Sequence, residues 1–236
     1  MKKDDAPIAA RFPDARESPA DVTRQCQAIM TRLLAVFDAV CRKHDFFYAM
    51  IGGTLIGAIR HRGWIPWDMD VDVAVLQAEL PRLKEALIDE IPEDMFYQDG
   101  QTDPFYSTDA GIIKLRDRYS NYYEWQSQNS SAKWHNGLQL DLLPYRWDPD
   151  HQHYVGPGAL ASFREDEMFP VTDMQFEGYW FRAPRDAVKL MTRTYGSLGM
   201  PPEAERKSNE GKADPFAPCE HPASLHFKKA TAPTTT

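Results

Sequence analysis

The chain has 236 residues, 42% of them hydrophobic and 12% aromatic, which is enough apolar material for a sizeable core in one large domain or two small ones. A formal net charge of −8 argues against a protein that grips nucleic acid along its phosphates, since that affinity comes from clustered Lys and Arg. Three scattered cysteines build no disulfide framework, no apolar run reaches membrane-spanning length, and the first residues lack the apolar stretch of a signal peptide, so the expected setting is cytoplasmic.

Residues 1–17 are polar and Pro-containing and are expected to form a flexible arm. A helix follows, with Ser18 as its cap, Pro19 at its first position and Asp21 completing a capping box. Val22, Cys26, Ile29, Met30, Leu33, Phe37, Val40 and Cys41 recur at helical spacing, which predicts one core-facing stripe to about His44. The stretch 46–51 reads as a strand, 54–61 as a short helix and 63–67 as a turn. The strictly alternating stretch 68–76 reads as a strand. Residues 77–91 look helical, 111–116, 137–143 and 174–182 look extended, and 184–195 reads as a helix opened by Pro184. Beyond Pro202 the chain is rich in Glu, Lys, Ser and Pro, and disorder is expected over 203–236. The fold class predicted for 18–202 is α+β with an α/β-like core, a mixed β-sheet flanked by helices. Cys219 with His221, and His151 with His153, have no second half at zinc-ligand spacing, so no zinc site is expected.

The chemistry concentrates in residues 51–75, IGGTLIGAIRHRGWIPWDMDVDVAV. On a strand, Asp68, Asp70 and Asp72 would share one face while Met69, Val71 and Val73 point into the core. Carboxylates spaced in this way can lean onto one divalent cation or two, and their oxygens suit Mg²⁺ or Mn²⁺ better than zinc. An acidic wet face on an edge strand is the bland alternative. Upstream, Gly52 and Gly53 stand between a strand and a helix. There, backbone N–H groups and a helix N-terminus can approach a phosphate.

The segment GGTLIGAIRHRGWIPWDMDVDV resembles the signature of the LicD family, which includes bacterial phosphocholine transferases and the fukutin-related proteins. Leu140–Pro144, Met168–Pro170, Phe176–Gly178, Ala183–Asp186 and Tyr195–Gly196 resemble the family's later landmarks, in the right order. Met69 interrupts what is often a continuous acidic run, and Leu143 replaces a common aromatic. The resemblance implies a nucleotidyltransferase-like fold. It also implies transfer of phosphocholine or a polyol phosphate from a CDP-linked donor to a glycan hydroxyl. In that scheme Mg²⁺ or Mn²⁺ sits on Asp70, Asp72 and Asp141, with Asp68 in support. Gly52, Gly53 and Thr54 would cradle the donor phosphates.

The remaining candidates each carry two readings. Asp141, in an apolar strand, is a metal ligand, a base, or the partner of a Lys or Arg. Lys114 and Arg116 share a strand face and either hold donor phosphates or serve structural ion pairs. Arg60 either binds substrate, positioned by Asp68, or sits at a helix C-terminus for the dipole's sake. Trp64, Trp67 and Trp125 stack on a ligand or fill the core. Two rival functions have different products or none. One is a true nucleotidyltransferase that releases pyrophosphate, and the other is a non-catalytic nucleotide- or glycan-binding member.

Overall fold

The computed structural model describes residues 6–16, 21–107, 111–123, 133–157, 162–200 and 212–224. Helix α1 (Ile8–Arg11) is followed by the long α2 (Val22–His44), strand β1 (Tyr48–Met50), helix α3 (Gly52–His61) and strand β2 (Val71–Leu76). Then come α4 (Leu80–Glu90), β3 (Met95–Gln98), β4 (Ile113–Asp117), β5 (Asn121–Tyr122), β6 (Gln139–Asp148) and β7 (His153–Val155). The chain continues through α5 (Glu165–Met168), β8 (Thr172–Phe176), β9 (Tyr179–Ala183), α6 (Ala187–Tyr195) and β10 (Ala213–Asp214).

The central sheet runs β1-β2-β6-β4-β3, with β7 on the far end of β6. β2 and β6 are parallel and their neighbours antiparallel, so the sheet is mixed as expected. Val71, Val73 and Val75 of β2 and Leu140 and Leu142 of β6 are buried. So are Cys26, Met30, Leu33, Leu34, Phe37, Val40 and Cys41 of α2. The helical repeat of α2 and the two-residue repeat of the strands thus build one core. Asp21 is the N-cap of α2 and accepts from Arg24 N–H, whereas Ser18 and Pro19 lie outside the described residues.

Several boundaries and roles differ from expectation. The stretch 174–182 is a hairpin, because Glu177 and Gly178 both take positive φ (48° and 82°) and turn the chain within an alternating run. β2 begins only at Val71, so Asp68 and Asp70 lie on the loop before it. The flexible arm expected over 1–17 is corrected for 6–16. Ile8 is buried, and the Arg16 guanidinium ion-pairs with Asp117 while donating to Pro215 O at 2.6 Å. Part of the expected disordered tail also docks. β10 pairs with β5, and Cys219, His221 and Ser224 are buried. In both cases a few buried groups anchor a segment whose overall composition is polar. Among the described residues no helix is long and apolar enough to cross a membrane.

Candidate active site

The β2–β6 register places Asp72 beside Asp141, and the β4–β6 register places Asp141 beside Lys114. One row across the sheet therefore reads Asp72, Asp141, Lys114. Lys114 Nζ bonds both Asp141 oxygens, at 2.6 and 2.7 Å. Burial, and then the neighbouring charges of Asp70 and Asp141, hold the Asp72 carboxyl well above the usual carboxylate range. Lys114 is pulled below the usual lysine range, chiefly by burial, with Asp141 opposing. The expected convergence of carboxylates is present, with the ion-pair reading of Asp141 realised inside it.

Helix α3 begins at Gly52, with Ile51 as its cap and no side-chain cap bond. The two glycines are therefore the first residues of the helix, not a turn ahead of it. A Cβ on Gly52 would lie 2.9 Å from Asp72 Oδ2, and one on Gly53 would lie 2.5 Å from Asp68 Oδ2. The glycines let two carboxylates close on the N-terminal end of α3, where the helix dipole favours negative charge. Thr54 is buried and turned inward: its Oγ1 accepts from Asp72 N–H at 2.9 Å, which fixes the start of β2 to α3. Its hydroxyl oxygen thus braces the site.

Two further candidates are engaged within the fold. Arg116 is 1% exposed and donates to Gln98 Oε1, Gly137 O and Gln139 Oε1, so its guanidinium is used inside the fold and does not hold phosphates. Arg60 donates to Leu198 O and Gly199 O, at 3.3 and 2.8 Å, and so ties the end of α3 to the segment after α6; only its field reaches Asp68. Trp64 is core, its indole N–H donating to Thr31 Oγ1 at 2.9 Å, and Trp67 is partly buried. Trp125 lies outside the described residues.

The structure adds residues that the sequence did not single out. Gln27, fully buried on α2, donates its amide to Ile65 O, Pro66 O and Asp68 O and holds the loop that carries Asp68. A polar side chain on an otherwise apolar helix stripe was the available signal. Glu177, at the hairpin tip, accepts from Trp64 N–H and pairs with Arg24, clamping the same loop from its other side. Tyr195, at the end of α6, and Tyr145, on β6, line a small cavity with Gly52. The Tyr195 phenol is raised by burial and then by Asp72, Asp70 and Asp68, which places it at the carboxylates.

The metal expected here meets a mixed donor set. The oxygens are hard, and Asp72 is crowded by like charges, a state that a cation relieves. Among the described residues, however, no three acidic, His or Cys side chains are already arranged as a cage, and Lys114 occupies Asp141. Asp72, with Asp70 and Asp68 near it, offers carboxylates that a cation would have to draw together. Asp141 fits one only after giving up Lys114.

A mixed sheet thus carries a glycine-led helix beside a row of two carboxylates and a lysine. The model of the LicD/FKTN/FKRP nucleotidyltransferase domain matches residues 46–186, and the chain belongs to this family. It is 41% identical over 138 residues to a lipopolysaccharide cholinephosphotransferase LicD of Haemophilus influenzae, covering 57% of this chain. The match spans 48% of that relative's length, so the chain corresponds to about half of it. The lincomycin-bound crystal structure of the lincosamide antibiotic adenylyltransferase LnuA overlaps 67% of this chain and 82% of its own at a TM-score of 0.36 and 11% identity. That is too distant to carry an argument.

Proposed function

We propose that this domain transfers a phospho-alcohol, phosphocholine in the first instance, from a CDP-linked donor to a glycan hydroxyl. The observation that carries the reading is the closing of Asp68 and Asp72 on the N-terminal end of α3, with Asp70 near enough to act on Asp72 and the Asp141–Lys114 pair beside it, in a chain of this family. The similarity to the Haemophilus cholinephosphotransferase supports phosphocholine as the group moved.

In the reaction, an acceptor oxygen bonds to the phosphorus of the phosphocholine group as the bond from that phosphorus to the CMP oxygen breaks. CMP carries away the bonding pair. A bound Mg²⁺ or Mn²⁺ would supply charge neutralisation at the diphosphate. Asp72 and Asp70 would hold it, with Asp68 in support. Lys114 places a cation next to the donor phosphates, and Asp141 keeps it aimed there. Asp141 also receives the acceptor's proton. The first-turn N–H groups at Gly52 and Gly53 face the donor from the other side.

The test is CDP-choline with an oligosaccharide acceptor, reading the nucleotide released, with and without EDTA. The expected outcome is CMP release that EDTA abolishes and Mg²⁺ or Mn²⁺ restores. Full turnover after metal stripping removes the metal reading, and pyrophosphate release would make the protein a nucleotidyltransferase in activity as well as fold.

A further inference from the structure

β6 carries more than the carboxylate. Asp141, Leu143, Tyr145 and Trp147 alternate along one face of this ten-residue strand. Tyr145 sits close enough to Asp72 to feel its charge. From there ring contacts run outward: Tyr145 to Phe163 at 4.7 Å, Phe163 to Tyr154 at 5.0 Å, and Tyr154 to Trp147 at 5.1 Å. The first three rings are packed inside or half inside, whereas Trp147 is 41% exposed. It borders an open groove of about 850 Å³ that is also lined by His151, Gln152, Arg164, Glu165 and Asp166. His151 is positioned by a hydrogen bond between its Nδ1 and Asp148 Oδ2 at 3.0 Å.

This lining has the form of a carbohydrate site. One exposed aromatic face is ringed by an amide, an imidazole, a guanidinium and two carboxylates, which together offer donors and acceptors in the density that sugar hydroxyls need. Six residues of strand separate Trp147 from Asp141, roughly 20 Å. The base of a nucleoside diphosphate whose phosphates lie at Asp72 falls well short of that, but an oligosaccharide spans it. We propose that the Trp147 groove is a distal subsite for the acceptor glycan. Trp147 stacks on the apolar face of a sugar ring several units from the reacting hydroxyl, and His151, Gln152 and Asp166 bond its hydroxyls. The proposal rests on the glycan-acceptor reading above and adds where the acceptor is held.

The experiment is a glycan array of bacterial oligosaccharides probed with the whole chain, in the absence of nucleotide and added metal. The variants are Trp147→Ala, Trp147→Phe and His151→Ala, with folding checked by circular dichroism. The expected result is binding of at least one oligosaccharide by the unmodified protein. That binding should weaken about tenfold or more in Trp147→Ala, the scale of losing one aromatic anchor. It should be largely retained in Trp147→Phe and reduced in His151→Ala, whose exposed side chain has no part in the core. Retention by Trp147→Ala, or by His151→Ala should the tryptophan variant not fold, would overturn the proposal, as would an array with no binding. If CDP-choline is never turned over while binding still depends on Trp147, the transfer reading fails and the glycan subsite stands.

Discussion

Asp72 and Asp117 are both aspartates of the central sheet, and the fold treats them in opposite ways. Asp117, fully buried at the end of β4, meets the Arg16 guanidinium and accepts from Tyr119 N–H at 3.1 Å. Asp72, partly buried on β2, has Asp70, Asp141 and Asp68 for neighbours, and the nearest cation is already bound to Asp141. A carboxylate that directly meets a buried counter-ion serves the fold. One kept among like charges is a candidate for a role outside the fold. The pairing of each aspartate therefore says more about its role than its burial does.

The comparison is broken most severely at Arg16. Arg16→Ala leaves Asp117 buried and unpaired, and the expected loss is about 3–5 kcal/mol. For a chain of this size that lowers the melting temperature by roughly 10 °C or more. Thermal denaturation checks it, and an unchanged melting temperature would mean the pair is dispensable. At the other aspartate the expectation reverses. Asp72→Asn should lower turnover by roughly 10²-fold or more, as for the loss of a preorganised electrostatic group, while the metal-free protein keeps its melting temperature or gains. Asp70→Asn should behave likewise. The double variant should cost much less than the product of the two single losses, because groups serving one centre act as a unit. Kinetics beside thermal melts tell the two aspartates apart.

The last effect expected is a pH dependence, which shows only in acid. His135 is pushed down to about 3 from 6.5, first by burial and then by Arg116. Its Nε2 lies 2.9 Å from Asp117 O and its Nδ1 2.5 Å from Ser224 Oγ, where the docked C-terminal segment meets the body. Between these two pKa values the unfolded chain binds the proton and the folded chain does not. This contribution is therefore full above pH 6.5 and is lost as the pH falls toward 3. Denaturation across that range should show a shallower acid decline in His135→Gln than in the unmodified protein.

Much of this fold was legible because it is written in period. The stripe of α2 and the alternation of β2 and β6 each leave a pattern that survives without tertiary information. β3 was missed because Met95–Gln98 is short and three of its four residues are buried, leaving little alternation to read. Alternation alone runs through the β8–β9 hairpin as one strand, because the turn falls on a Glu-Gly pair within the run. At the site, the aspartates and glycines could be named from their order. What could not be read was who meets whom. Lys114 and Arg116 sit two apart on one strand, yet one reaches the carboxylate row and the other is consumed by Gln98, Gly137 and Gln139. Nothing local to either residue decides that. The sheet order, set by strands far apart in sequence, does.

Arg16 has a further consequence, in the order of folding events. It joins Asp117 across 101 positions and Pro215 across 199, so its contacts are far less local than the hairpins and helix turns of the body. The entropy of closing such loops must be overcome before the contacts return anything. The guanidinium is thus a late-closing latch on a sheet already assembled. Its strength should be felt in how slowly the native protein unfolds and hardly at all in how fast it forms.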